Sequence, residues 1–248
     1  MSRVWPLLRA RAPGFAVRGV GAAEVAGGCV LALLFCLRLA APVLAQSGTP
    51  QMPAARPAPG SFDFFVLSLS WSPGFCATAG SDKAADECAA GADLGFVVHG
   101  LWPQLDHGFL ADCNASAPAP SRIALDKAAG LFPDEGLARY EWRKHGTCTG
   151  EAPADYFADV RRARDEIVIP AMFQSPRTVQ STAPTVVAQA FINANPGLRP
   201  GMMAVGCQKA VLQDVKFCLT KDLRGFRACP EVVRAACRSP QISVPPLR

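Results

Sequence analysis

Eight cysteines, Cys76, Cys88, Cys113, Cys148, Cys207, Cys218, Cys229 and Cys237, follow position 45, and two more, Cys29 and Cys36, precede it. What they do depends on the compartment, and the N-terminus speaks to that. A basic, Pro- and Gly-containing stretch leads into the apolar run Val25 to Leu37, and Val43-Leu44-Ala45 puts small or apolar residues where signal peptidase reads them. This predicts a signal peptide over residues 1–45, cleaved after Ala45. The alternative is an uncleaved anchor over Val25 to Ala45, but Arg38 and Pro42 sit badly in hydrocarbon, and the run to Leu37 falls short of the roughly 18 residues a span needs. An even set of cysteines in an exported chain predicts four disulfides, each contributing about 2–4 kcal/mol. Zinc is the rival ligand, yet no C-x-x-C pair occurs. Spacing alone leaves on the order of 100 connectivities open.

Five arginines against Glu24 in the first 45 residues carry nearly all of the formal charge of +5. The exported part is therefore close to neutral, which removes the electrostatic case for a tight nucleic-acid binder but not for a nuclease that must release its product. Residues 46–60, with four prolines, read as a solvated tether. Residues 61–248 read as one folded domain, half-apolar composition excluding disorder.

Within that domain, Phe62 to Trp71 reads as a buried strand closed by Pro73-Gly74, and Gly95 to His99 as a second, stopped by Gly100 and Pro103. Residues 81–93 read as a loop or short helix, and 111–120 as a loop. Helices are expected over 121–131, over 134–145 with Asp134 as N-cap and Gly146 as stop, over 155–167 and over 185–193. Strands return at 202–209, 211–219 and 226–229. Strands at both ends with helices between them predict an α+β fold with a central antiparallel sheet flanked by helices. There is no internal repeat and no glycine-rich phosphate loop.

Three histidines occur: His99, His107 and His145. In Tyr140-Glu141-Trp142-Arg143-Lys144-His145-Gly146 a helix makes Glu141 a neighbour of His145 and of Lys144, so one face presents an acid, a cation and an imidazole, with Trp142 turned inward. A solvated helix face is the plainer reading of that pattern. His99 ends a buried strand, where sites commonly form, though a structural histidine fits there too. Two histidines, a lysine and a carboxylate without a nucleophilic Ser or Cys elbow suit metal-free phosphoryl transfer. One imidazole takes a proton from an attacking hydroxyl, the other protonates the leaving oxygen, and the lysine stabilises charge on phosphorus. RNA carries its own nucleophile, the 2′-hydroxyl.

Val98-His99-Gly100-Leu101-Trp102-Pro103-Gln104 and Glu141-Trp142-Arg143-Lys144-His145-Gly146-Thr147-Cys148 resemble the two active-site segments of the ribonuclease T2 family, in their usual order and separation. The resemblance runs from the Phe62 strand to Cys237. It implies a T2-like fold and an endoribonuclease that cleaves single-stranded RNA through a 2′,3′-cyclic phosphate to a 3′-phosphate, with no metal and no cofactor. It further implies that His145 is the base and His99 the acid in cyclisation, that Glu141 and Lys144 stabilise the phosphorane, and that the disulfides are Cys76–Cys88, Cys113–Cys148, Cys207–Cys237 and Cys218–Cys229.

Two positions depart from the family. Tyr140 stands where many members have a third, phosphate-holding histidine, and a phenol adds no positive charge at neutral pH. Ser70 stands where several relatives have a base-contacting glutamine. Trp102 is the expected stacking platform for a base, a core residue being its plainer role, and Gln104 a candidate for a base edge. His107 is expected on the surface. Asn114-Ala115-Ser116 is a glycosylation acceptor sequence, relevant only in a eukaryote, whereas the Ala-, Arg- and Gly-rich composition leans bacterial. The expectation is a monomeric periplasmic or secreted ribonuclease, free of the membrane after signal cleavage. An exported binding or toxin-like protein without catalysis and a phosphodiesterase for small cyclic nucleotides are the rivals.

Overall fold

The structure, a computed structural model, describes residues 58–80, 84 and 86–248; the expected signal peptide or anchor and nearly all of the tether lie outside the described residues. The last tether residues dock on the domain, with the Gly60 N–H bonded to the Cys148 carbonyl at 2.9 Å, so the expected solvated stretch ends earlier than Gly60.

The framework is set by β1 (Phe64–Trp71), whose residues alternate between two environments. Phe65, Leu67, Leu69 and Trp71 face the main core, while Phe64 and Val66 enter a smaller cluster with Cys218, Cys229 and Trp102. The alternation then places Ser68 and Ser70 on that second face, beyond the small cluster. Ser68 is buried there, and the half-buried Ser70 lies against His99.

β1 pairs antiparallel with β2 (Phe96–Gln104) and with β5 (Val211–Thr220), and β4 (Met203–Gln208) pairs with β5. Two short strands, β3 (Gln180–Thr182) and β6 (Ile242–Val244), complete six strands among the described residues. The sheet is antiparallel except for one parallel pair, Val211 with Ser243. The second strand does not stop at His99 but runs through Gly100 and Pro103 to Gln104. It lies at the edge of the sheet, where proline costs no ladder bond. The expected strand at 226–229 is only a single bridge, Leu219 with Phe226, in a segment held by the Cys218–Cys229 disulfide.

Helices α1 (Ser72–Phe75), α2 (Arg122–Ala128), α3 (Glu135–Lys144), α4 (Pro153–Asp165), α5 (Pro184–Ala194) and α6 (Pro230–Arg234) make the fold α+β. α1 runs on into a π-helical turn over Cys76–Gly80. Asp134 caps α3 by accepting from the Leu137 N–H, and Trp142 and Ala138 bury its inner face. Tyr156 on α4 donates to the Leu101 carbonyl and ties that helix to β2. The four disulfides join Cys76–Cys88, Cys113–Cys148, Cys207–Cys237 and Cys218–Cys229. Among the described residues no helix is long and apolar enough to cross a membrane.

Candidate active site

His99 owes its position to a β-bulge. Pairing with β1 steps from Ser68–Gly100 to Leu69–Val98, leaving His99 as the extra residue. Such an insertion bends the strand and re-aims one side chain. The imidazole stays 44% exposed, its Nε2 3.8 Å from Glu141 Oε1. Its Nδ1 lies 3.2 Å from the Ser70 hydroxyl. Ser70, expected to contact substrate, thus orients a histidine here, because residues 70 and 99 share a face of adjacent strands.

Glu141 reaches from α3 over the β2 backbone and is 1% exposed. Trp102 Nε1–H donates to its Oε2 at 2.8 Å. The approach requires Gly100, since a Cβ there would fall 2.1 Å from Glu141 Oε2. Burial raises the Glu141 carboxyl to about 7, the Trp102 bond opposing it. Trp102 stands between the imidazoles, its ring 5.7 Å from His99 and 5.4 Å from His145. It is half-buried against the small cluster, so the expected stacking platform also positions Glu141.

His145 is the C-cap of α3, its N–H still bonded to the Glu141 carbonyl. The chain leaves through Gly146, where a Cβ would strike Trp142 at 2.4 Å, and enters a 3-10 turn (Gly146–Cys148) fastened by Cys113–Cys148. Burial lowers the His145 pKa to about 4; the backbone of Leu110 and the Asp112 carboxylate oppose the shift, while Lys144 and His99 add to it. Its Nδ1 is buried with no hydrogen bond of good geometry. Burial also lowers the His99 pKa, with Asp214 opposing and Lys216 assisting.

Lys144 does not share an open face with Glu141 and His145 as the helical spacing implied. Glu141 is buried, His145 has left the helix, and Lys144 Nζ pairs with Asp112 Oδ2 at 2.6 Å. Asp112 has a left-handed backbone, φ 53°, and bonds its N–H to the Lys144 carbonyl. The sequence reading missed Asp112. The signal was present in the implied Cys113–Cys148 bridge, which brings residue 112 beside the end of α3.

The remaining expected residues lie at the margins. Gln104 ends β2, half-buried and bridged to Phe109, itself 80% exposed and also missed. Tyr140 is 47% exposed on α3, and the Lys144 pKa is raised chiefly by its hydrogen bond to Asp112. His107 is exposed, 3.8 Å from Glu231. Two imidazoles of unequal basicity, a protonatable buried carboxyl and a lysine form a set that can move two protons about one phosphoryl centre.

A model of the "Ribonuclease T2 family" matches residues 62–229. A ribonuclease of Aeromonas hydrophila is 34% identical over 171 residues, 66% of this chain and 74% of that protein. Ribonuclease I of Escherichia coli is 32% identical over 148 residues, 44% of this chain and 55% of its own length. Among solved structures, trichomaglin, described as an S-like ribonuclease, superposes with a TM-score of 0.57 at 21% identity, covering 75% of this chain and 99% of that one, a likeness of fold.

Proposed function

The chain belongs to the ribonuclease T2 family and is an endoribonuclease, and from that premise we propose that it cleaves single-stranded RNA outside the cytoplasm by metal-free transphosphorylation. The observation that carries this reading is the pair of imidazoles flanking Trp102, with Glu141 buried between strand and helix.

His145, held neutral down to about pH 4, takes the proton of the 2′-hydroxyl as it attacks phosphorus. His99 delivers a proton to the departing 5′-oxygen, and the roles reverse when water opens the 2′,3′-cyclic phosphate to a 3′-phosphate. Glu141, a neutral acid below about pH 7, donates to a phosphoryl oxygen instead of repelling it, and Lys144 offsets the charge of the phosphorane. The nucleophile comes from the substrate, so no step calls for a metal or cofactor. Trp102, Gln104 and the exposed Phe109 offer faces and an amide to an unstacked base.

The N-terminal signal-like segment and the four disulfides support a periplasmic or secreted protein, with residues 1–45 removed. The test is to incubate the oxidised chain with single-stranded RNA in excess EDTA across acidic to neutral pH and identify the ends. Cyclic phosphate and 3′-phosphate ends are expected from the parent and none from His99→Phe or His145→Phe. Normal turnover by either variant would overturn the mechanism.

A further inference from the structure

The sheet face that carries Ser68 and Ser70 continues onto β5. Ser70 pairs with Asp214 and Ser68 with Lys216, and directly opposed residues of an antiparallel pair point to one face, so both charged side chains stand on that face. Cys218, two residues further along β5, enters the small cluster of the same face, while Val215 and Phe217 turn to the main core. The order across the face is therefore His99, the Ser70 hydroxyl on its Nδ1, then Asp214.

Asp214 is fixed there from two sides. Lys216 Nζ donates to its Oδ1 at 2.5 Å, the side chains of Lys216 and Asp214 being 27% and 24% exposed. From the other side β4 brings Gly206, where a Cβ would fall 2.3 Å from the same oxygen. Charges this far withdrawn from water act on their neighbours with less screening than exposed ones.

In the mechanism proposed above, His99 must carry the proton that it delivers to the leaving 5′-oxygen, and burial works against that charge. Glu141 from α3, His145 beyond the end of that helix, and Glu87 and Asp134 in the cavity that His99 also lines are the titratable groups around it on other elements. Glu141 is a neutral acid below about pH 7, and a charged His145 would only repel an imidazolium. On β5, Asp214 opposes the loss of charge and Lys216 assists it. We infer that Asp214, held by Lys216 and by the room left at Gly206, is a positioning residue for His99, its carboxylate keeping the imidazole in the charged form that the acid step needs. The inference rests on the ribonuclease reading, with His99 as the acid.

The experiment follows two readings in the full oxidised chain, in Asp214→Asn and in Lys216→Gln: the alkaline limb of the kcat/KM profile on a dinucleoside monophosphate, and the titration of the His99 ring by NMR. One charge two strand spacings away, roughly 10 Å, shifts such a titration by about half a pH unit once salt screening is included. Asp214→Asn should move both readings down by that amount, and Lys216→Gln should move both up. A merely structural loss would lower activity at every pH and leave the limb where it stands. An unmoved titration in either folded variant, or shifts of the same sign in both, overturns the inference. If one variant does not fold, the other decides. A His99 titration that shifts while the limb stays put overturns the reading of His99 as the acid and this role with it, and a parent that cleaves no RNA overturns the ribonuclease reading itself.

Discussion

Gly100→Ala isolates the close approach on which the site depends. An added Cβ would lie 2.1 Å from Glu141 Oε2 and 2.4 Å from Trp102 Nε1, where real Cβ contacts essentially never fall under 3.0 Å. The carboxyl and indole must therefore retreat by about 1 Å, a misplacement that can cost on the order of 10²-fold in rate, or about 2.7 kcal/mol of transition-state stabilisation. Separately, breaking the 2.8 Å Trp102–Glu141 bond would leave a buried carboxyl poorly satisfied, costing about 1–3 kcal/mol of stability. The assay is kcat/KM on a dinucleoside monophosphate, with urea unfolding of the same sample. Pairing the substitution with Glu141→Gln in a double-mutant cycle should show strong non-additivity, because both act on one group. A Gly100→Ala enzyme within about threefold of the parent, or one whose loss simply adds to that of Glu141→Gln, would refute the argument.

Three further outcomes follow from the geometry. The base must be neutral, a population that grows as pH rises through about 4 for His145, and the acid must be charged, a population lost as pH rises through the lowered pKa of His99, below the ordinary 6.5. The kcat/KM profile should therefore be a bell with an acidic optimum, and an optimum at or above neutrality would contradict the assignment. Replacing Cys113 and Cys148 by serine opens a bridge with a separation of 35 residues, which should lower the unfolding free energy by about 4 kcal/mol and cut activity by loosening Asp112 and His145; unchanged urea midpoint and turnover would deny that role. Glu151, on the surface but partly desolvated, is raised to about 7 by that desolvation, with the charge of Asp159 next, so the folded state binds more protons than the unfolded one between the ordinary 4.5 and about 7, and stability falls as pH rises through that window. Glu151→Gln should therefore raise the melting temperature more at pH 8 than at pH 5, a comparison readable by calorimetry, and an equal shift at both would argue against the cause.

The sequence alone determined the family and much of the scaffold. The segments around His99 and around Glu141, Lys144 and His145 stood out through their resemblance to those of the ribonuclease T2 family, chemistry alone leaving a solvated helix face and a structural histidine as plainer readings, and the cap Asp134 and the stop Gly146 bounded the helix by local rules. The α+β class followed from periodicity, since each element must bury one face. Only the tertiary structure decided how the groups proposed to act on RNA meet. The bulge that projects His99, the Ser70 hydroxyl on its Nδ1, the Trp102 bond to Glu141 and the pairing of Lys144 with Asp112 all join residues at least 29 positions apart. Local propensity carries no information about such pairs. The same reason explains the errors: Gly100 and Pro103 read as a strand end because they break isolated strands, whereas at the sheet's edge proline is tolerated and the glycine makes room for a carboxylate arriving from another element.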